Sequence, residues 1–454
     1  MKYIQTILAA VAVVLLLCSV PVRAQDLAPT VSLDYSGLGQ ELVTFLSKGD
    51  FTAAGRNFDA TMKSAMPPAK LSEVWQALQE QVGKFKRQTG VRTAHIFPFT
   101  IVYVTCDFIQ MPIDIQITYN EVGKVAGLFF VPTQFQAKYR LPDYAARPGT
   151  YVEKELIVGS SEWALSATLT LPNGKGPFPA LVLVHGSGPQ DRDETYGPNK
   201  PFRDLAYGFV SRGIAVLRYE KRTRQHGAKM ALLKDHITVK EETIDDALAA
   251  VALLRGREEI NHDRVFVLGH SLGGMLLPRI GWADPAIAGL IVFAGNTRPL
   301  EDLILDQIDY LFNQDGVVTA AERIQLETIK MQVARVKGPA LSDSTPAAEL
   351  PLGVPAGYWL DLRGYQPSET AKNLKMPMLI LRGERDYQVT TADFEGWQKS
   401  LSVRADVEFK SYPKLNHFFI EGKGEITPAE YDLAGNIPAY VIEDIAAWVM
   451  RHYR

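Results

Sequence analysis

The stretch that decides the fold is VFVLGHSLGG, residues 265–274. An apolar run typical of a buried strand ends abruptly at Ser271, with glycines at positions 269, 273 and 274. Glycine has no Cβ, so a strand and the helix after it can approach closely at such a turn. Gly-x-Ser-x-Gly between a strand and a helix is the pattern of a nucleophile elbow, which lifts a serine out of a sheet. We therefore predict a nucleophilic serine; a capping serine in a glycine-rich turn is the alternative.

The residues that would activate this serine follow it in the chain. Asp386 lies just beyond the apolar run of PMLILRGERDYQV, and His417 stands in YPKLNHFF after the next predicted strand. An acid beyond a strand end can reach an imidazole and fix its tautomer, and the order nucleophile, acid, histidine accompanies this kind of turn. Glu384 is the competing carboxylate, but Asp386 lies further into the loop. We predict that Asp386 and His417 complete a catalytic triad with Ser271.

Two backbone amides are candidates for binding the oxyanion that forms when a serine attacks a carbonyl. The helix after the serine points its N-terminus at the reacting centre, so Leu272 N–H is one candidate. The loop HGSGPQDRDE, residues 185–194, follows an earlier apolar run, and Ser187 N–H is the second. We interpret His185 as a structural residue of this loop and His270 as a packing residue. The charged stretches of this loop and of RYEKRTRQHG are assigned no binding role.

From residue 151 onward, apolar strands alternate with helical segments. VEKELIVGS and LSATLTLP predict a hairpin, and PALVLVHGSG, GIAVLRYE, RVFVLGHS, AGLIVFAG and PMLILRG predict buried strands. Continuous apolar strands separated by helices indicate a mostly parallel sheet covered on both faces. The alternation stops over about residues 296–375, a polar, helical insertion expected to cap the carboxyl ends of the strands. Residues 151–454 are therefore predicted to form one α/β domain.

Residues 33–132 carry a different pattern. Two segments with helical spacing are followed by MPIDIQITYN, in which Ile113, Ile115 and Ile117 alternate with polar residues. This order predicts a small α+β domain with two helices against an antiparallel sheet. Residues 133–150 contain two prolines and no periodicity, and we interpret them as a linker.

The first 24 residues have the pattern of an export signal. Lys2 provides a positive start, and residues 7–20 are almost wholly apolar, which is shorter than the roughly 20 residues that span a bilayer. We predict that residues 1–24 are removed, that the protein is periplasmic or secreted, and that the mature chain has no membrane span. An uncleaved anchor is the alternative. Cys18 would leave with the signal and Cys106 would stand alone, so no intramolecular disulfide is expected.

Together, HGSGPQDRDE, GHSLGG, LRGERD and NHFF resemble the α/β-hydrolase superfamily, in particular exported bacterial serine esterases and peptidase-like hydrolases. The N-terminal pattern is similar to the NTF2-like accessory domain that precedes some of them. For residues 151–454 the resemblance implies an eight-stranded, mostly parallel sheet, a helical cap and the triad of Ser271, Asp386 and His417. Members of the superfamily cleave carboxylic esters. The chain departs from the dienelactone type, whose nucleophile is cysteine.

Charge and motif spacing exclude several other functions. The formal net charge of −3 gives no electrostatic basis for binding nucleic acid. LFNQDGVVTAAE has nearly the spacing of a calcium loop, but Leu311 occupies the first ligand position, and an apolar side chain cannot coordinate calcium. A helix capping box formed by Thr319 and Glu322 accounts for the same stretch of sequence. The predicted chemistry needs no metal and no organic cofactor.

The favoured function is therefore a serine carboxylesterase that acts on a small-molecule ester through an acyl-enzyme. The first alternative is a serine peptidase or amidase of the same fold, acting on a peptide-like substrate. The second is a binding or dimerisation protein with a degenerate hydrolase domain. In either case the N-terminal domain is a candidate for pairing two chains into a homodimer.

Overall fold

The described part of the computed structural model begins after the predicted export signal, so that prediction lies outside it. The structure describes residues 34–96, 99–120, 122–133, 139–145, 147, 149–159, 161–233, 237–314 and 316–452. In this part of the chain, no helix combines the length and the apolar character that a membrane span requires.

The N-terminal unit consists of helices packed on one face of an antiparallel sheet, as the sequence predicted. Its strands pair in chain order: β1 (Phe85–Ile96), β2 (Phe99–Phe108), β3 (Pro112–Tyr119) and β4 (Val125–Pro132). Its helices are α1 (Tyr35–Lys48), α2 (Phe51–Ala54), α3 (Ala60–Ala65) and α4 (Pro68–Val82). The two long helices were expected, whereas the two short ones were not.

The core of this unit lies where the apolar residues of α1 and α4 meet the inward face of the sheet. Leu46 and Trp75 pack there with Ile115 and Ile117. Cys106 is a buried free thiol, and burial raises its pKa to about 12. A thiol with so high a pKa is a poor nucleophile at neutral pH, which indicates a structural role for Cys106.

The larger unit is built on an eight-stranded sheet of described residues. Its strands are β5 (Tyr151–Val158), β6 (Leu165–Pro172), β7 (Phe178–Val184), β8 (Ala215–Tyr219), β9 (Ile260–His270), β10 (Leu290–Phe293), β11 (Met378–Gly383) and β12 (Val407–Tyr412). The strand order is β12-β11-β10-β9-β7-β8-β6-β5. The pairs β5/β6 and β6/β8 are antiparallel and the others are parallel. The predicted α/β fold with a mostly parallel sheet is confirmed.

Helices cover both faces of this sheet because successive strand residues point to opposite sides. On one face, Leu181 of β7 packs with α5 (Pro201–Val210) and α15 (Ala439–Arg451). On the other, Val182 packs with α8 (Asp245–Arg255) and α9 (Leu272–Ala283). A strand with two buried faces must be apolar throughout, which explains the unbroken apolar runs in the sequence. The larger unit also contains α6 (Arg222–Gln225), α7 (Gly227–Leu233), a π-helical turn (Lys240–Ile244) and α14 (Thr391–Leu401).

The insertion before β11 is helical, as expected. It contains α10 (Leu300–Phe312), α11 (Ala320–Lys337), α12 (Ala356–Leu362) and α13 (Pro367–Ala371). At the start of α11, the Thr319 side chain accepts from Glu322 N–H and the Glu322 side chain accepts from Thr319 N–H. This capping box accounts for the stretch that resembled a calcium loop.

The segment around α12 is attached to α9, the helix that follows the predicted nucleophile. Arg279 Nη1 donates to Asp361 Oδ2 over 2.6 Å, and Tyr365 Oη donates to the Met275 carbonyl over 2.8 Å. Residues of the predicted linker also contact the larger unit, because Tyr139 Oη donates to Asp204 Oδ1 over 2.7 Å.

Candidate active site

Ser271 stands at a sharp turn between β9 and α9. Its φ of 52° and ψ of −118° lie in a region that residues with a side chain rarely adopt. A Cβ at Gly269 would lie 2.5 Å from the backbone carbon and oxygen of Gly273, and a Cβ at Gly273 would lie 2.5 Å from the Val184 carbonyl oxygen. Gly269 is therefore required for β9 and α9 to approach, and Gly273 is required for α9 to lie against the end of β7; Ser271 is held in its strained conformation between them.

The first turn of α9 directs backbone amides toward the serine. Leu272 is the first residue of the helix, so its N–H has no partner within the helix. The positive end of the helix dipole lies at the same place. Such an N-terminus can bind an oxyanion formed beside Ser271.

Asp386 and His417 meet through the loops that follow β11 and β12. His417 Nδ1 and Asp386 Oδ2 are 2.6 Å apart, and both side chains are buried. Asp386 Oδ1 accepts from the backbone amides of Gln388 and Val389 over 2.7 and 2.9 Å. With Nδ1–H directed at the carboxylate, Nε2 of the imidazole is left as a proton acceptor. Glu384 instead accepts from the Ser411 hydroxyl over 2.8 Å.

His270, which precedes Ser271 in the chain, contacts His417. His270 Nε2 lies 3.0 Å from the His417 carbonyl oxygen, and the two imidazole rings have centroids 4.6 Å apart. Within the described part of the chain, the Ser271 hydroxyl has no hydrogen bond, and so none to His417. Catalytic hydrogen bonds of this kind are often long before substrate binds.

The loop after β7 passes beside the serine. A Cβ at Gly186 would lie 3.1 Å from the Ser271 Cβ, so no larger residue fits without displacing its neighbour. Ser187 follows and is exposed, and no described group accepts a hydrogen bond from its backbone N–H. Among the described residues, the backbone amides of Leu272 and Ser187 thus have no hydrogen-bond partner, and both remain candidates for binding an oxyanion.

Comparison with known proteins identifies the families to which the two units are similar. Residues 179–422 match the family described as "Serine aminopeptidase, S33", and residues 39–128 match a family of unknown function, DUF3887. Esterase EstD of Thermotoga maritima is 40% identical over 410 residues, which is 90% of this chain and 94% of that protein. The chain belongs to the S33 group of α/β hydrolases.

Solved structures of other hydrolases share a weaker likeness with this S33 hydrolase. Est1E from Butyrivibrio proteoclasticus is 14% identical with a TM-score of 0.42, covering 66% of this chain and 98% of that one. A puromycin hydrolase is 14% identical with a TM-score of 0.44, covering 81% of this chain and 48% of that one. With TM-scores below 0.5, these similarities add no support to the assignment.

His270 does more in this hydrolase than pack, so the expectation for it is wrong. It is buried, and its Nδ1 lies 2.9 Å from Glu194 Oε2 while its Nε2–H donates to the His417 carbonyl. Burial alone would lower the pKa of His270, but the charge and contact of Glu194 outweigh it and raise the pKa. Burial would raise the pKa of Glu194, but His270 and the Gly186 amide lower it. The contact between these two buried side chains thus links the loop after β7 to the loop that carries His417.

Glu194 also holds the loop that carries Ser187. Its Oε1 accepts from Gly186 N–H over 2.7 Å, and its own φ of 51° is in the left-handed region. His185 has the structural role predicted for it: its Nε2 contacts the Asp191 carbonyl over 3.0 Å, and burial lowers its pKa to about 4. The charged stretch of this loop is thus part of the scaffold of the site and not a solvated surface.

A further residue that the sequence analysis did not single out is Asn416. Its Oδ1 accepts from the amides of Phe418 and Ile420, each over 3.1 Å, and so closes the turn that presents His417. Phe419 completes this turn with a φ of 57°. An asparagine immediately before a candidate catalytic histidine is a sequence signal for such a turn, because its side chain readily accepts from amides two or more residues further on.

The role of Asp386 is tested by an isosteric change. Asp386→Asn should lower kcat for ester hydrolysis by about 10³- to 10⁴-fold, because an amide cannot hold the His417 tautomer that accepts a proton. The matched control is Glu384→Gln, which lies two residues away and has no contact with the histidine; it should leave kcat nearly unchanged. Equal losses in the two variants would contradict the choice of Asp386.

The Glu194–His270 pair predicts a pH-dependent stability. Because folding raises the pKa of His270, its protonation contributes fully to stability below the ordinary value of 6.5. This contribution is lost as the pH rises through the folded pKa. Because folding lowers the pKa of Glu194, its ionisation contributes fully to stability above 4.5. This contribution is lost as the pH falls through the folded pKa. The pair therefore stabilises most between these two values.

His270→Gln should consequently lower the free energy of unfolding by about 3 kcal/mol at pH 6, where it leaves Glu194 as an unpaired buried charge. The difference from wild type should shrink as the pH rises above 6.5 and through the folded pKa of His270. Denaturant titration at pH 6 and pH 9 measures this, with the exposed His262→Gln as control. A difference that is constant with pH would show that folding does not raise the pKa of His270.

Proposed function

We propose that this chain is a serine carboxylesterase that cleaves small-molecule esters. The observation that carries the proposal is the 2.6 Å contact between His417 and Asp386 at the same edge of the sheet as the strained Ser271. The 40% identity to a protein named an esterase, over nearly the full length of both chains, points to the same reaction.

The proposed reaction proceeds in two halves. His417 Nε2 takes the proton of the Ser271 hydroxyl while Oγ attacks the ester carbonyl carbon, and the Leu272 and Ser187 amides bind the oxyanion. The carbonyl re-forms as the carbon–oxygen bond to the alcohol breaks, and the alcohol leaves with the proton from His417. Water then attacks the acyl-enzyme with His417 again as base, which releases the acid and restores the serine.

The site supplies the usual contributions to such a rate. Each oxyanion donor accounts for about 10²- to 10³-fold in kcat, and a positioned general base for about 10²- to 10⁴-fold. The donors here belong to a helix N-terminus and to a loop held by a buried carboxylate, so little reorganisation is needed when charge develops. His417 and Asp386 are buried, which strengthens their electrostatic interaction.

A peptidase or amidase is the second candidate, because the matching family description names aminopeptidases. An amide differs from an ester in that the leaving nitrogen must be protonated before it departs. An aminopeptidase also needs carboxylates that bind the substrate's free amine. Side-by-side turnover of simple esters and aminoacyl anilides separates the two reactions.

We propose further that residues 33–132 form an accessory domain, that residues 133–150 connect it to a hydrolase domain at 151–454, and that residues 296–375 cap the site. We also propose cleavage after residue 24 and export, on the basis of the N-terminal sequence. A periplasmic or secreted chain whose intact mass begins at residue 25 supports export; a cytoplasmic full-length chain contradicts it.

The accessory domain is also our candidate for pairing two chains. By strand alternation, Phe129 lies on the sheet face opposite the helices, where it is 38% exposed. Light scattering on the full chain and on a chain that begins at residue 139 tests this: a dimer that becomes a monomer supports the proposal, and a full-length monomer refutes it.

The proposed reaction predicts a specific loss in one variant. Ser271→Ala should abolish turnover of a short-chain p-nitrophenyl ester and labelling by a fluorophosphonate, because the attacking oxygen is gone. Ser187→Ala is the matched control, since this variant keeps the backbone N–H and should retain activity. An unchanged rate in Ser271→Ala would refute the assignment of the nucleophile.

A further inference from the structure

Three buried polar side chains form a chain of hydrogen bonds beneath the loop that carries Ser187. Lys221 Nζ donates to the Gly186 carbonyl over 2.7 Å and to Glu242 Oε1 over 2.5 Å. Tyr358 Oη donates to Glu242 Oε2 over 2.7 Å. The three side chains come from the loop after β8, the π-helical turn before α8, and α12 of the insertion. The proposed mechanism uses none of them.

The first of these bonds determines how the Ser187 amide points. The Gly186 carbonyl and the Ser187 N–H belong to one trans peptide unit, in which C=O and N–H point in opposite directions. An ammonium that binds the carbonyl on one side therefore directs the N–H to the other side, away from Lys221. Without it, this unit could rotate within a loop that contains two glycines and still satisfy its carbonyl with water.

The opposite side of Gly186 is held independently. Its own N–H donates to Glu194, which is in turn paired with His270. Both polar backbone atoms of Gly186 are thus bound by buried side chains of opposite charge, a carboxylate and an ammonium. A backbone position clamped in this way has little freedom, which is what a donor aimed at a developing charge requires.

Stability alone is a poor reason for such a chain of residues. Lys221, Glu242 and Tyr358 are 2%, 8% and 6% exposed, and lysine and glutamate are rarely buried unless they are paired. Removing two charges from water costs about as much as their attraction returns, so apolar residues would stabilise this place equally well. Apolar residues, however, could not bind the Gly186 carbonyl.

We propose that Lys221 is a positioning residue that fixes the Ser187 amide for oxyanion binding, and that Glu242 and Tyr358 hold its ammonium in place. This rests on the proposed function. Through Tyr358 the insertion becomes part of the catalytic apparatus, since α12 is itself attached to α9 by Arg279 and Tyr365. The insertion then acts on the rate of the reaction as well as covering the site.

The test compares two double variants of the full-length protein. Lys221→Met/Glu242→Gln removes the ammonium without leaving a buried charge. Arg222→Met/Asp246→Asn is the control, because it removes the neighbouring buried ion pair, which has no contact with the Gly186 peptide. Active sites are counted by fluorophosphonate labelling, and kcat, KM and the Ki of a trifluoromethyl ketone, which forms a tetrahedral oxyanion on the serine, are measured for each.

The Lys221 double variant should lower kcat per active site by about 10- to 100-fold, less than the 10²- to 10³-fold that loss of a whole donor costs. KM should be nearly unchanged, and the Ki of the ketone should rise by a similar factor to the loss in kcat. The control should lower the thermal stability but leave kcat and Ki unchanged. If the Lys221 variant keeps wild-type kcat and Ki, or if the control loses both equally, the positioning role is refuted.

Tyr358→Phe keeps the proposal testable if the double variant does not fold, because it removes a single hydroxyl. It should lower kcat by about threefold to tenfold, again without a change in KM. Unchanged kcat and Ki in this variant would refute the part assigned to the insertion. A wild-type chain without ester turnover would refute the proposed function instead, and the ketone affinity would still report on Lys221.

Discussion

Backbone meets backbone where β9 turns into α9, and no side chain could be accommodated between them. The Gly269 and Gly273 contacts place the strand end and the first helical turn at a separation that any Cβ would violate. Gly273 also lies against the carbonyl oxygens of Val184 and His185, so the same approach fixes where the loop after β7 begins. Backbone atoms cannot move aside as a flexible side chain can. The strained Ser271, the start of the helix and the oxyanion loop are therefore positioned together by one constraint.

Buried charged side chains hold the loops that surround this turn. One set of contacts runs from Gly186 through Glu194 and His270 to the His417 backbone. Polar interactions are stronger in a low-dielectric interior than in water, and a partly satisfied network there is more costly than none. The scaffold is therefore rigid where the proposed reaction needs fixed groups. It also makes the geometry of the base depend on the same carboxylate that holds the oxyanion loop.

The fold and the candidate triad could be predicted from the sequence because the residues that indicate them are close together in the chain or occur in a characteristic order. Apolar runs identified the strands, the glycines around Ser271 identified the turn, and the chain order pointed to Asp386 and His417. The supporting residues could not be found in the same way, since their contacts join distant parts of the chain. His270 and His417 are 147 residues apart, and Tyr358 and Glu242 are 116 apart.

The amino-acid composition around these supporting residues also suggested a solvated surface and not a buried scaffold. A dense run of charge such as QDRDE is usually solvated, and nothing in its letters separates a buried Glu194 from an exposed one. One signal was present for Lys221, which lies two residues after the end of β8, where a charged residue is close to the edge of the sheet that carries the candidate site. Position relative to a strand end was thus more informative than charge content.

The pairing of Lys221 with Glu242 also restricts how related sequences can diverge. Replacing either residue alone leaves a buried charge without its counter-charge, at a cost of about 3–5 kcal/mol, which is a large fraction of the stability of an ordinary domain. Substitutions at these two positions must therefore occur together, either at the same time or through an intermediate that is barely folded. Lineages of this fold should fall into two discrete groups, one with both ionic residues and one with neither.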